Sequence, residues 1–336
     1  MNLFRNIAQN TWDLTAAAKK LFSYLLKAAI LVLAFTFIYH RINNNENLRQ
    51  FEDLIGTISQ TQVVITMSVV VLLMIVNWVL ESLKWKYLTR ELVRITAWQA
   101  IEAVFCGLTW AVFTPNRIGE YGGRVMFLPN RKRIHGVFAM AVGSFGQNVI
   151  TNVLGLIALI WFNYAFFHLD TRLSFALVLA ATGFMSLMLV FYFNIRWLVT
   201  LLNRISFLRK YHRFFDIMGK YRAAELMNIM WFCLARFFVF SFQYYLVIHL
   251  LMPQIAVFPM MMMVFILFFI QSALPSLDLL DVGVRSVTAS TFFVYITEQK
   301  IAVIAAVSSI WLINLIIPAI LGSVFVLKLK FFDRAS

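Results

Sequence analysis

Charge is what this sequence has least of. Only 13% of its 336 residues are charged, about half the roughly 25% of an ordinary soluble domain. Acids are scarcer still, 15 Asp and Glu against 29 Lys and Arg, for a formal net charge of +14. There are two cysteines, Cys106 and Cys233, each inside an apolar run, so neither a disulfide framework nor a zinc site is expected. The five histidines are scattered without metal-ligand spacing, and no metal or cofactor is expected. In their place stands apolar surface: 62% of the residues are hydrophobic. A water-soluble globule cannot hide that much, and disordered chains carry far less. The basic excess then points to loops against anionic lipid and not to nucleic acid.

A spanning helix needs about 20 mainly apolar residues. Apolar runs occupy Leu21–Tyr39, Val63–Leu80, Trp98–Thr114, Gly136–Phe162, Phe175–Phe193, Leu226–Leu251, Val257–Leu274 and Ile301–Leu327, with a shorter stretch at Ser286–Ile296. Asp13, Lys19 and Lys20 precede the first run, and no small-residue cleavage site follows it. It reads as a retained helix and not a signal peptide. Lys and Arg concentrate in residues 1–20, 81–97, 131–135 and 194–225 and in the tail after 327, which places all five on the cytoplasmic side.

That assignment forces a particular path. Residues 81–97 and 131–135 are both basic, so the run Trp98–Thr114 cannot simply cross. It enters, turns at Pro115–Gly123 and returns through Arg124–Leu128. The second half mirrors it: the weakly charged 252–256 and 297–300 loops read as external, so Val257–Leu274 dips in, turns at Pro275–Gly283 and returns through Ser286–Ile296. Interrupted backbone at membrane depth is tolerated where it is buried in protein or lines a wet cavity. The expected fold is therefore an all-α polytopic membrane protein of about six full transmembrane helices plus two re-entrant hairpins. Its parts are a cytoplasmic segment 1–20, a first half 21–167 with hairpin 98–128, a second half 168–327 with hairpin 257–296, and a cytoplasmic tail 328–336. Corresponding elements of the halves start 154 (Leu21 to Phe175), 163 (Val63 to Leu226), 159 (Trp98 to Val257) and 165 (Gly136 to Ile301) residues apart, the signature of an inverted repeat.

The two tips agree in chemistry. Each follows a Pro with an acid-x-Gly-x-Arg box, Glu120/Gly122/Arg124 and Asp281/Gly283/Arg285. Pro ends a helix, Gly permits a tight reversal, and acid and Arg can pair so that burial is tolerable. Charges at depth cost about 2.5–3.5 kcal/mol each on insertion scales and mark function or structural pairing. Arg236, mid-span, reads either as a phosphate or carboxylate contact or as the partner of Asp278 or Asp281. Glu102 reads as lying at interface depth. Asn77, Glu81 and Lys84 share a helix face, with a local Glu81–Lys84 pair. Asn148 and Asn152 share a face, either lining the cavity or bonding between helices. Lys27 snorkels. Met260–Met263 reads as plastic packing, and Arg196–Arg222, mixing apolar and basic residues, as an interfacial amphipathic stretch.

Glu81-Ser-Leu-Lys-Trp-Lys86, Thr114-Pro-Asn-Arg-Ile-Gly-Glu120 with Arg124, and Leu274-Pro275 with Gly283-Val-Arg285 resemble the transmembrane region of lysylphosphatidylglycerol synthases, the flippase-like domain that also occurs as stand-alone bacterial and archaeal membrane proteins. The resemblance covers roughly residues 20–330. It implies movement of lipids such as aminoacyl-phosphatidylglycerol between leaflets of a bacterial inner membrane, with both termini cytoplasmic. The second hairpin departs from the family in having less Gly and in Ser286, where an acid often stands. No aminoacyl-transferase domain accompanies the helices, so lipid aminoacylation is not expected.

The resulting expectation is a non-enzymatic lipid flippase. Its substrate has a charged, phosphate-bearing headgroup, of anionic phospholipid or polyprenyl-phosphate type. Arg117, Arg124, Arg236 and Arg285 meet the headgroup, Glu120, Asp278 and Asp281 balance them, and Asn148 and Asn152 line the path. A membrane-embedded lipid enzyme or a scaffold for a lipid or glycan synthase is the alternative. Homo-oligomerisation is left open.

Overall fold

The computed structural model describes residues 46–56, 58–112, 114, 117–204, 215–273 and 287–327, with part of 21–39. Among them the chain is helical and contains no strand. The helices are α1 (Glu46–Ile55), α2 (Gln60–Thr89), α3 (Ala97–Ala111), α4 (Ile118–Val125), α5 (Arg133–Phe162), α6 (Thr171–Phe193), α7 (Ile195–Arg204), α8 (Ala223–Leu251), α9 (Val257–Ala273) and α10 (Lys300–Val326). A further helical turn covers 287–293.

Five of these, α2, α5, α6, α8 and α10, are long and apolar enough to cross a membrane. The expected spans over residues 63–80, 136–162, 175–193, 226–251 and 301–327 each fall within or almost within one of them. The sixth expected span, 21–39, lies partly outside the described residues; a helical stretch, Ser23–Leu33, falls in it. The five helices differ in exposure. On α6, Leu173, Phe175, Leu179, Leu187 and Val190 face outward, the surface of a peripheral helix in lipid. By contrast, α10 is buried along most of its length. Pro318 inside it removes one backbone donor. One residue on, the Ala319 carbonyl accepts the Thr109 hydroxyl of α3 at 2.8 Å, which ties the two helices together.

Side-chain contacts fix the directions. Helices α2 and α8 run antiparallel, joined by Arg90–Glu225, Asn228–Tyr87 (3.0 Å), Arg236–Asn77 (3.0 Å) and the Gln243 amide on the Val70 carbonyl (2.9 Å). At the same end as Arg90 and Glu225, Tyr221 donates to the Leu88 carbonyl at 2.6 Å, and Gly136, near the start of α5, lies against Leu128 and Trp85. The end of α2 and the start of α5 thus share one end of the bundle, and everything from 90 to 132 leaves and returns there. At the opposite end, the Thr297 hydroxyl reaches the Met252 sulfur at 3.7 Å, so the end of α8 and the residues just before α10 lie on that side.

The first excursion is a helical hairpin closed by glycines. Helix α3 starts on a capping box, with Thr96 Oγ1 accepting from Gln99 N at 3.1 Å and Gln99 Oε1 accepting from Thr96 N at 2.9 Å. Its 15 residues reach about 22 Å, short of the roughly 30 Å hydrocarbon core. Helix α4 packs antiparallel against it: a Cβ on Gly123 would fall 2.6 Å from the Gly107 Cα, and one on Gly119 would strike the Trp110 carbonyl. This corrects the sequence reading of a Pro115–Gly123 turn. Residues 118–125 are helix, no described glycine has a positive φ, and it is Arg117 that sits in the left-handed region (φ 55°). The glycines serve close backbone approach, not chain reversal.

One element had no counterpart in the sequence reading. Helix α1, in the expected 40–62 loop, buries Phe51 and packs on α10. The expected interfacial stretch 196–222 contains α7 and a 3-10 turn, Asp216–Lys220, whose Ile217 and Met218 are buried.

Candidate functional site

The bundle buries a continuous chain of ion pairs where α2, α4 and α8 meet. Its hub is Glu81. One carboxylate oxygen accepts from Arg124 Nη1 at 2.6 Å; the other accepts from Lys84 Nζ at 2.7 Å and from Arg236 Nη1. Arg124 also donates through Nη2 to Glu120, and Glu120 pairs with Arg117 at 3.1 Å. Arg236 is held further by Asn77, and its guanidinium lies 5.4 Å from the centre of the Trp78 ring.

Each element delivers its residues for a local reason. Asn77, Glu81 and Lys84 sit at helical spacing on one face of α2, about 12 Å or more from the helix end at Thr89 for the first two. Glu120 and Arg124 are one turn apart on α4. Gly107 lets the Arg124 stem through: a Cβ there would lie 2.9 Å from Arg124 Cγ. Arg236 stands 13 residues into α8, about 20 Å from its start.

The cluster is dry at one side and open at the other. The side chains of Glu81, Lys84 and Arg124 are nearly sealed, whereas that of Arg236 is 16% exposed and that of Arg117 is 40% exposed. Among the described residues it holds four cations (Lys84, Arg117, Arg124, Arg236) against two carboxylates (Glu81, Glu120). Internal pairing therefore leaves two positive charges over. Arg117 Nε, Arg124 Nε and Trp78 Nε1 are buried without a hydrogen-bond acceptor. Spare donors and spare positive charge in one low-dielectric place are chemically suited to an oxyanion.

Of the residues singled out from the sequence, Arg117, Glu120, Arg124 and Arg236 come together here. Asp278, Asp281 and Arg285 lie outside the described residues, as does any pairing of Arg236 with those acids. Asn148 and Asn152 are elsewhere. Asn148 is exposed, and Asn152 donates to the Asn148 carbonyl of its own helix at 2.7 Å, so of the two readings, cavity lining or a bond between helices, the second is met by a bond within the helix instead. They continue a polar face of α5 that begins at Ser144, 3.1 Å from the Tyr121 hydroxyl of α4, and ends at Gly155, packed on Phe269 of α9. Glu102, read from the sequence as lying at interface depth, is buried on α3. Glu81 was legible only as a local partner for Lys84; its two arginines arrive from 43 and 155 residues away. The signal available was an acid and an amide one turn apart, Asn77 and Glu81, inside an otherwise apolar helix.

A second group closes the same end of the bundle. Arg90 pairs with Glu225 and lies 4.1 Å from the Tyr87 ring centre. Burial pushes the phenol of Tyr221 above its ordinary value, which keeps it a donor to Leu88. Cys106 and Cys233 are buried and unbonded to each other, and no group of three His, Cys, Asp or Glu among the described residues could hold a metal. No family model, curated protein or solved structure matches this chain.

Proposed function

We propose that this chain is a lipid transporter of a bacterial inner membrane that carries an amphiphile with an anionic, phosphate-bearing headgroup between leaflets. The observation that carries the reading is the buried cluster of four cations on two carboxylates, open to the outside at Arg117 and Arg236. A protein burying charge only for structure has every reason to balance it, because an uncompensated charge at depth is expensive. The positive excess among the described residues is what an anionic headgroup balances.

The chain path supports the mechanism. In this reading the α3–α4 hairpin and the segment between α8 and α10 are the two re-entrant elements of an inverted repeat, whose halves rock for alternating access. The polar face Ser144–Asn148–Asn152, running from α4 toward α9, offers the headgroup a path between the hairpins while the tails stay in lipid. The basic stretches 81–97 and 131–135 lie at the end that holds Arg90, and this reading takes that end as cytoplasmic. The resemblance to the flippase-like region of lysylphosphatidylglycerol synthases points the same way.

The test is reconstitution in vesicles with a fluorescent phospholipid whose exposure in the outer leaflet is read by dithionite quenching. Wild type accelerates exchange, and Arg236→Gln and Arg117→Gln slow it while eluting as folded protein. Equal rates for wild type, both variants and empty vesicles overturn the proposal and favour a scaffold, in which the same substitutions lower folded yield alone.

A further inference from the structure

We infer that the pocket where α6, α7 and the start of α8 meet binds the headgroup of an anionic phospholipid. This site is separate from the Glu81 cluster and independent of whether the chain moves lipid. A cavity of about 330 Å³ opens there, lined by Phe193 and Asn194 at the end of α6, Arg196 and Trp197 of α7, and Tyr221 and Arg222 just before α8. That volume is on the scale of a small-molecule site. Tyr221 fixes its place at the Arg90 end of the bundle, because its hydroxyl donates to the Leu88 carbonyl of α2. The length of α6 fixes its depth. The 23 residues of that helix rise about 35 Å, just over the roughly 30 Å hydrocarbon core, so side chains at its last turn stand at headgroup level.

The lining has the chemistry of an interfacial lipid site. Helix α7 packs on the 3-10 turn Asp216–Lys220: Ile195 and Val199 are buried, as are Ile217 and Met218 of the turn, and Arg196 Nε donates to the Gly219 carbonyl at 3.0 Å. That bond anchors the guanidinium and leaves its terminal nitrogens for phosphate oxygens, which such a fork matches. Elsewhere on α7, Trp197 and Leu201 are one turn apart and exposed, and α6 leads up to the pocket with Leu187 and Val190 outward. An exposed Trp at this depth suits the headgroup layer, where the ring meets apolar chains and its N–H meets polar groups. The nearby acids are engaged elsewhere. Glu91 and Glu225 both pair with Arg90, Glu225 also accepts from Arg222 N, and neither they nor Asp216 line the pocket. The sequence has no acid from 171 through 215, whereas 194–215 carries Arg196, Arg204, Arg209, Lys210 and Arg213, the last three outside the described residues. Arg196 and Arg222 are exposed and therefore screened by salt. Each contributes the modest attraction of a basic side chain at an anionic surface, about fivefold in affinity. A phosphate held by both leaves the acyl chains to run along α6 in the bilayer.

The experiment is native mass spectrometry of the full chain, released from detergent after incubation with phosphatidylglycerol or phosphatidylcholine of identical acyl chains. It is run on wild type and on a chain carrying Arg236→Gln, so that a headgroup held by the Glu81 cluster is not counted. In both, phosphatidylglycerol is retained in preference to phosphatidylcholine. Arg196→Gln and Arg222→Gln each weaken that retention about fivefold. Trp197→Ala, which leaves the Arg196–Gly219 bond in place, weakens it as well and keeps the test readable if Arg196→Gln fails to fold. Arg131→Gln, an exposed cation that does not line the pocket, leaves retention unchanged. Phosphatidylcholine retained equally, or Arg131→Gln costing as much as the pocket arginines, reveals only a diffuse basic surface and overturns the inference. Inorganic phosphate displacing the lipid at equal concentration reassigns the pocket to the free ion and overturns the lipid. Loss of all retention in the Arg236→Gln chain puts the lipid in the Glu81 cluster, which overturns the pocket and leaves the transporter reading intact.

Discussion

Glu81→Gln is the most informative single change, because one carboxylate holds three cations. Glutamine keeps the shape and removes the charge, raising the excess in the cluster from two to three. Arg236 retains Asn77 and Arg124 retains Glu120. Lys84, sealed on α2, loses its carboxylate partner. Breaking a buried pair from one side costs about 3–5 kcal/mol, most of it the uncompensated charge left behind. The expected loss is of that order, measured by denaturant unfolding of the detergent-solubilised protein. Lys84→Met in the same chain removes the stranded charge and recovers about half. Coupled residues in one network depart from additivity by about 0.5–3 kcal/mol, so the cycle is readable. A Glu81→Gln protein within about 0.5 kcal/mol of wild type, or a Lys84→Met change that adds to the damage, would refute the view of Glu81 as the hub.

Two further outcomes follow from the geometry. Gly322→Ala places a methyl onto the Phe105 carbonyl of α3; overpacking costs about 1–3 kcal/mol and lowers the melting temperature, whereas Gly183→Ala, with nothing within 4 Å, is neutral or gains up to about 1 kcal/mol of helix preference. Tyr221→Phe loses about 1 kcal/mol with its bond to Leu88. Because the folded phenol titrates above its unfolded value, that contribution is complete below about pH 10 and fades as pH rises further, so an alkaline melting series converges for the two proteins.

Composition and run length made the spans legible. Where residues are apolar on every side for more than 20 positions, backbone hydrogen bonding in lipid leaves only a helix, and α5, α6, α8 and α10 begin and end within four residues of the apolar runs. Basic residues at both 81–97 and 131–135 led the reading to bring the chain back to one end, and the end of α2 and the start of α5 do lie together. The interior of the α3–α4 hairpin was misread. Gly119, Gly122 and Gly123 suggested a turn, but glycine gives no sign in sequence of whether its freedom or its smallness is being used; the backbone of α3 pressed against α4 decides for smallness. Helix α1 was missed because ten residues with a single apolar stripe resemble a polar loop until α10 covers Phe51.

The sequence by itself determined that the chain lives in lipid, roughly where it crosses, which ends are basic, and that Arg117, Glu120, Arg124 and Arg236 needed an explanation at depth. Those are local properties: transfer free energy and loop charge are read one segment at a time. Only the tertiary structure decided which charges meet. It kept Glu81 in its local pair with Lys84 and added Arg124 and Arg236 to it, left Asn148 on an open face, and gathered four cations against two acids among the described residues. Coulomb energy depends on distance in space, and in a bundle of antiparallel helices residues 155 positions apart are nearer than one helix turn.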